Sequence, residues 1–373
     1  MKLSNLKTLS FIAVAMCVLS CNKDESFSDR LAGLKSVTFP EQGEQVIASK
    51  ETGRFVGNKN EVIETVKVQQ TLDPVQIVDA SNLEVIYPGS VLNGEAFLEG
   101  EYTNLKINNP KEITLSTTLK GPGATVKATA IPTPSDVREK VNKLVSQKAE
   151  NVDYNNVASY MSYVSNEVTT QESFSKTLGI HVKIEVLKGL AKGSFGYEQK
   201  ELNINTKNHI LIKVRQLFYN VSIDPKSANE WGDIQIIGKY EPVYISSVDY
   251  GRVATLLVET DESISEVTKK IEASISVGLK TVGGKVDTKL IDTQRAYFTE
   301  KNIKILLAGG PLSEAKTVKD YDTFINFLLK PNSESLVKGA VPIGYKVRTL
   351  KDNREVTVRT MFIEQRFNYK IAK

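Results

Sequence analysis

Cysteine and histidine are nearly absent from this chain of 373 residues, which holds two of each and a single tryptophan. Cys17 lies inside the apolar run Leu9–Leu19, so after loss of an export signal Cys21 has no partner and disulfides are excluded. His181 and His209 stand without a cysteine or carboxylate cluster, which argues against zinc. Two histidines leave little material for a triad, and neither a Gly-x-Ser-x-Gly nor a paired-carboxylate signature is present. No enzyme and no cofactor is expected. Charge of one sign is also scarce: the formal net charge is +4, less Lys2 and Lys7 once a signal is removed, too little for a nucleic-acid partner. Past the N-terminus no run approaches about 18 continuous apolar residues, so any later membrane span must be β.

What is present begins with the compartment. Lys2 and Lys7 form a basic region, Leu9–Leu19 an apolar one, and Val18-Leu19-Ser20-Cys21 follows. This pattern predicts a lipoprotein signal peptide over 1–20, with lipidation at Cys21 and anchorage to a bacterial outer membrane. An ordinary signal with an incidental cysteine is the alternative. Asn22-Lys23-Asp24-Glu25 resembles the export signal of surface lipoproteins, and a solvated linker would suit the same residues. Residues 21–50 read as a polar tether, with Val37-Thr38-Phe39 as a possible short strand.

Strand-like runs then follow at Glu61–Gln70, Val75–Val78, Leu83–Tyr87, Lys111–Leu119 and Ala124–Ala130. Later ones are Ile210–Ile223, Val243–Glu259, Ile303–Leu307, Gly344–Thr349 and Arg354–Tyr369. Helical spacing marks Asp136–Ala149, with Ser135 as its cap, and Tyr321–Leu329. The class is α+β with long, largely antiparallel strands.

One segment carries two periods at once, and a second alternates. Ile271, Ala273, Ile275, Val277 and Leu279 alternate with polar residues or glycine, close to the length of a tilted transmembrane strand. Gly283-Gly284 can turn the chain, and Val286 and Leu290 return it. Yet Ile264, Val267, Ile271, Ile275 and Leu279 also keep helical spacing. Likewise Ile180, Val182, Ile184 and Val186 alternate, with a patchier return through Phe195 and Tyr197. By pattern alone an ordinary amphipathic element explains either segment.

Five tracts in order change those odds. Val85-Ile86-Tyr87-Pro88-Gly89 and Arg215-Gln216-Leu217-Phe218-Tyr219-Asn220-Val221-Ser222-Ile223-Asp224 come first. Pro242-Val243-Tyr244-Ile245-Ser246-Ser247-Val248-Asp249-Tyr250-Gly251-Arg252 runs on into Leu257-Val258-Glu259-Thr260. Leu307-Ala308-Gly309-Gly310 and Pro342-Ile343-Gly344-Tyr345 with Leu350-Lys351-Asp352-Asn353 complete the set. Together they resemble the pore-forming core of the cholesterol-dependent, or thiol-activated, cytolysins. The resemblance implies a bent antiparallel sheet flanked by two helical clusters that unfurl into membrane hairpins, plus an elongated β connector. It places the first cluster near Leu178–Lys207, where Ser194-Phe195-Gly196-Tyr197 has a family counterpart, and the second near Glu266–Asp292. The implied division is connector at 51–84 and 354–373, core at 85–164, 208–260 and 336–353, and pore-forming domain at 165–207 and 261–335. Gly309 and Gly310 would mark the sheet bend.

The sequence ends soon after Asn353, where family members continue into a Cys- and Trp-rich membrane-recognition domain, so sterol recognition does not carry over. Val168 and Thr170 stand where the family's interprotomer tyrosine and glutamate are expected; Glu167 and Lys319 are the remaining candidates for an oligomer contact. Tyr250 and Phe218 are expected in the core, and Arg252 as one member of a buried charge pair. The expected function is a pore-forming toxin component that assembles as a ring on a target membrane. A longer cytolysin-like partner and an activating protease are expected with it. The alternative is a non-lytic surface adhesin on the same scaffold.

Overall fold

The computed structural model describes residues 26–78, 80–119, 126–149, 160–200, 202, 207–262, 265–270, 272–273, 303–310, 318–329 and 334–371. Cys21, Ile271, Ile275, Val277, Leu279, Val286 and Leu290 lie outside the described residues.

Two long strands form the spine. β9 (Asn208–Ile223) and β11 (Val243–Thr260) run antiparallel, pairing from Ser222↔Ser247 to Asn208↔Thr260. The stretch Val253–Val258 of β11 is buried without alternation, because both faces of the sheet are covered there. Each spine strand exchanges its outer neighbour midway. Val243–Gly251 pairs with β13 (Val341–Thr349), but Val253–Val258 pairs with β12 (Ile303–Ala308). Across the spine, Val221–Ile223 pairs with β6 (Ile113–Thr117), whereas Ile210–Leu217 pairs with β8 (Tyr160–Glu167). β3 (Val75–Gln76), β4 (Val91–Leu92) and β7 (Lys127–Ala130) complete a nine-stranded sheet. β5 (Ile107–Asn108) and β10 (Asp233–Ile234) form a small pair.

A separate three-stranded sheet is built from β1 (Gln45–Val56), β2 (Lys59–Leu72) and β14 (Val358–Ile371). The described labelled helices are α1 (Phe27–Ala32), α2 (Gly94–Leu98), α3 (Pro134–Ala149), α4 (Phe174–Leu178), α5 (Ile184–Phe195), α6 (Tyr321–Leu329) and α7 (Glu334–Lys338). Residues 265–270 are also helical. The upper core packs Trp231 against Tyr244, ring centroids 4.9 Å apart, under α3 and β6.

Four expectations need correction. Residues 26–50 are no tether: Ser26 caps α1, Leu31 and Val37 are fully buried, and β1 starts at Gln45. A few isolated apolar residues make this packing, so no period announces it. Val37-Thr38-Phe39 forms no strand, and Val37 instead donates its N–H to Glu241 at 3.0 Å. Leu83–Tyr87 is a turn closed by the N–H groups of Val85 and Ile86 on the Asn82 carbonyl, since a short apolar run fixes burial but not conformation. α3 begins one residue before Ser135, with Pro134 in its first position and Thr133 accepting from the Asp136 N–H at 3.4 Å.

Candidate functional site: two helical groups on one four-stranded sheet

The lower half of the large sheet is the four-stranded stack β8-β9-β11-β12. Period two sends Leu211, Leu257 and Leu306 to one face and Ile210, Ile212, Ala254 and Leu256 to the other. The first face is covered by α4 and α5 through Phe174, Leu178, Leu187, Ala191 and Phe195. The second is covered by Val267 of the helical stretch 265–270 and by Phe324 and Phe327 of α6. The first helical group lies in the chain between β8 and β9, and residues 261–302 lie between β11 and β12. Each of these pairs is antiparallel and adjacent, so α4 with α5, and the helical stretch 265–270, lie in the connections of hairpins, whereas α6 follows β12.

α5 buries Leu187, Ala191 and Phe195, one side chain every four residues. Val186 is 47% exposed on its outer side, Val182 and Ile184 are half-buried, and Ile180 is buried. Gly196 ends the helix at φ 61°, which brings Phe195 and Tyr197 around the Phe174 ring at 5.4 and 5.2 Å. Ala273 is half-buried.

Polar ties hold the first group down. Lys213 on β9 donates to the Leu178 carbonyl at 2.7 Å, and Asn166 on β8 donates to the Thr177 hydroxyl at 3.1 Å. Gln76 donates its N–H to the Gly179 carbonyl at 2.8 Å. The three-stranded sheet adds the Lys176–Glu364 pair at 3.3 Å and the Gln365 N–H on Thr169 at 2.8 Å. Burial, with Arg215 adding to it, pushes the Lys213 amine down to about 7. The second group meets β8 at Ser165 and Thr268, 3.4 Å apart, and through a hydrogen bond between Tyr163 and Glu272.

Gly309 and Gly310 close β12 at φ 84° and 86°. A Cβ on Gly309 would reach the Gly251 oxygen at 2.5 Å. The pair therefore sits where β11 exchanges β13 for β12. Arg252 is buried; its Nε donates to the Gln216 amide oxygen at 2.7 Å and its guanidinium stands 4.5 Å over Phe327. Tyr250 stacks on Tyr219 at 5.0 Å, and Phe218 is buried in the core.

Glu167 and Lys319 are not brought together as an ion pair. Glu167 ends β8 opposite Ile210, and Lys319 gives its N–H to Thr323 before α6. Val168 and Thr170 are buried, and Thr170 hydrogen-bonds the Ile363 carbonyl of the three-stranded sheet. His181 is buried between Phe39 and Phe97, and among the described residues no cluster of three metal-ligating side chains occurs. No helix among them is long and apolar enough to cross a membrane. Sequence reasoning missed β8, whose serines and asparagine hide its strand character, and Lys213, which no pattern distinguishes from a surface lysine.

A model of the thiol-activated cytolysin family matches residues 37–366. Perfringolysin O of Clostridium perfringens is 26% identical over 395 aligned positions, covering 96% of this chain and 75% of that protein. Streptolysin O of Streptococcus pyogenes is 26% identical over 322, covering 81% of this chain and 54% of its own length. Among solved structures, the human-specific toxin intermedilysin superposes with a TM-score of 0.64 at 23% identity, over 92% of this chain and 74% of that one. Listeriolysin O gives 0.61 at 20% identity, over 93% and 73%. These likenesses establish the fold: mixed helix and sheet, mostly antiparallel. The chain belongs to the thiol-activated cytolysin family.

Proposed function

We propose that this chain is a pore-forming toxin component, not an enzyme, whose two helical groups convert into membrane-spanning β-hairpins. One observation carries the reading. α4 with α5, and the helical stretch 265–270, lie in the connections of antiparallel strand pairs, so extending those connections would lengthen β8–β9 and β11–β12 without a change of topology. In the first group the helix buries Leu187, Ala191 and Phe195, while the alternating set Ile180, Val182, Ile184, Val186, of which Ile180 is buried and Val186 exposed in the folded chain, would face lipid in an extended strand. The second hairpin would use Ile271, Ala273, Ile275, Val277 and Leu279, returning through Val286 and Leu290.

A lone hairpin cannot insert, because lipid offers no partner for its edge groups. Many copies must close a barrel with charged side chains facing the lumen. Val168 and Thr170 are buried and unsuited to an interprotomer contact, which favours co-assembly with a longer homologous chain over self-assembly alone. Glu167 and Lys319 remain the proposed oligomer contacts. The N-terminal sequence supports lipid anchorage at Cys21, surface display on a bacterial outer membrane and release by proteolysis in the polar run Asn22-Lys23-Asp24-Glu25, ahead of the packed segment that starts at Ser26. The proposed division keeps 165–207 and 261–335 as the pore-forming part, and Gly309-Gly310 as the hinge.

A disulfide tests insertion. A Cβ on Gly179 would lie 3.9 Å from that of Gln76, within bridging range. Oxidised Gln76→Cys/Gly179→Cys protein should not release dye from target vesicles, and reduction should restore release. Undiminished release by the oxidised form defeats insertion of the first group and favours an adhesin whose helices stay folded.

A further inference from the structure

Of the twelve large apolar side chains left exposed among the described residues, seven lie on the three-stranded sheet. Four of these crowd its outer end: Phe55 at 62% exposure, Val56, Tyr369 and Ile371 at 73%. β1 turns into β2 there, and β14 ends beside them. Register fixes where they point. Val56, Lys59 and Ile371 form one row across the sheet, and Phe55, Asn60 and Lys370 the next. Residues of one row share a face, and successive rows alternate. Ile371, Tyr369 and Val56 therefore project from one face and Phe55 from the other. Apolar groups on both sides of a strand tip make a wedge.

Charge completes the pattern. Lys59 sits between Val56 and Ile371, and Lys370 lies in the row of Phe55. Arg54 is exposed above Glu61 at 3.9 Å. Glu61 and Glu64, which pair with Arg54 at 3.9 Å and with Lys370 at 2.7 Å, are buried, so the cationic ends are the parts of these pairs that reach the surface. The outermost surface thus offers lysine and arginine around hydrocarbon, the chemistry that settles at a phosphate-bearing lipid interface. β2 has 14 residues, so the tip stands about 45 Å from the strand's other end beside the large sheet, clear of it.

We propose that this tip docks on a lipid surface rich in anionic headgroups. The test uses the chain with Cys21→Ser, which removes the thiol an acyl anchor needs, and Phe55→Trp. Native Trp231 is fully buried, so the added indole reports the tip. Vesicles of phosphatidylcholine with phosphatidylserine should shift its emission to the blue, and brominated acyl chains should quench it. Phosphatidylcholine alone should do neither. Phe55→Ser with Val56→Ser, and separately Lys59→Glu, should weaken partition by about tenfold. Unchanged emission on the anionic vesicles overturns the proposal, as does equal binding to both compositions. A blue shift that grows with protein concentration without vesicles also overturns it, because the tip then covers a second copy. Dye release from the same vesicles is read separately: docking without release leaves this proposal standing and counts against insertion, and release with a silent tip does the reverse.

Discussion

The ammonium of Lys213 donates to the carbonyl of Leu178 at 2.7 Å, tying the last residue of α4 to the middle of β9. The tie is buried, and it joins the first helical group to the sheet it must leave if hairpins form.

Its pH dependence has a definite sign. Burial, aided by Arg215, lowers Lys213 from 10.5 to about 7. Burial also lowers His209, whose ring meets Tyr197 edge-on at 5.1 Å. Both groups bind protons more readily when unfolded, so the stability they lend rises with pH and is lost as pH falls. Lys213 loses its contribution from its ordinary range down to about 7, and His209 adds a loss below the ordinary histidine range. Glu167 opposes them, since burial raises its carboxyl and acid then favours the folded form. Two lowered bases outweigh one raised acid above the carboxylate range. Hydrogen exchange at the Leu187 and Ala191 amides should therefore quicken, after correction for intrinsic rates, between about pH 9 and pH 5.5. Lys213→Met should flatten that trend; equal protection across the range in the unmodified chain would sink the idea.

Gly251 should resist substitution for reasons of space alone. A Cβ there would meet the Gln216 carbonyl oxygen at 2.0 Å and the Ile343 side chain at 2.8 Å. The first obstacle is backbone, so β9 and β11 would have to part at the row where the outer neighbour changes. Gly251→Ala should cost about 2–4 kcal/mol in chemical denaturation. A loss under about 1 kcal/mol would mean that the spine yields there more easily than its packing indicates.

Phe327 joins three parts of the second face. It carries the Arg252 guanidinium at 4.5 Å, lies 3.3 Å from the Cβ position of Gly310, and packs with Phe324 against β9 and β11. Phe327→Ala should cost about 3–5 kcal/mol and leave a buried cation without its ring. Exchange protection should fall first in α6 and only later in β9. Simultaneous loss in both would show that α6 is no separate unit.

The long elements were legible because they exceed the length at which period decides. Ile210–Ile223 and Val243–Glu259 fall inside β9 and β11, and Tyr321–Leu329 is α6 to the residue. Contacts that depend on one side chain were not legible. Leu31 and Val37 are spaced too far apart to declare a packed segment, and β8 reads as polar because its serines face helices and solvent. The exposed wedge at Phe55 was hidden for a related reason: Glu51–Val56 carries no alternation, and only the paired register reveals which rows its apolar residues share. Val186 and Leu187 obey different periods: the sequence shows the alternation that ends at Val186, and the helix shows the four-residue spacing that begins at Leu187.

That difference yields the sharpest separation of folding from insertion. In the soluble chain Leu187 is buried against the sheet and Val186 faces out from α5. In an extended hairpin the alternating set that includes Val186 would face lipid, and Leu187 would face the lumen. Val186→Arg should therefore leave the folded chain within about 0.5 kcal/mol of its stability, as an exposed helix position allows. The same arginine on a lipid-facing strand costs about 2–4 kcal/mol near the bilayer midplane, repeated in every subunit, so dye release should be abolished. Leu187→Arg should do the opposite at the first step and destabilise the soluble chain by burying an unpaired charge. Thermal unfolding and vesicle leakage measured on both variants check the pair. Full leakage by Val186→Arg would place that residue away from lipid and remove the period-two basis for the first hairpin.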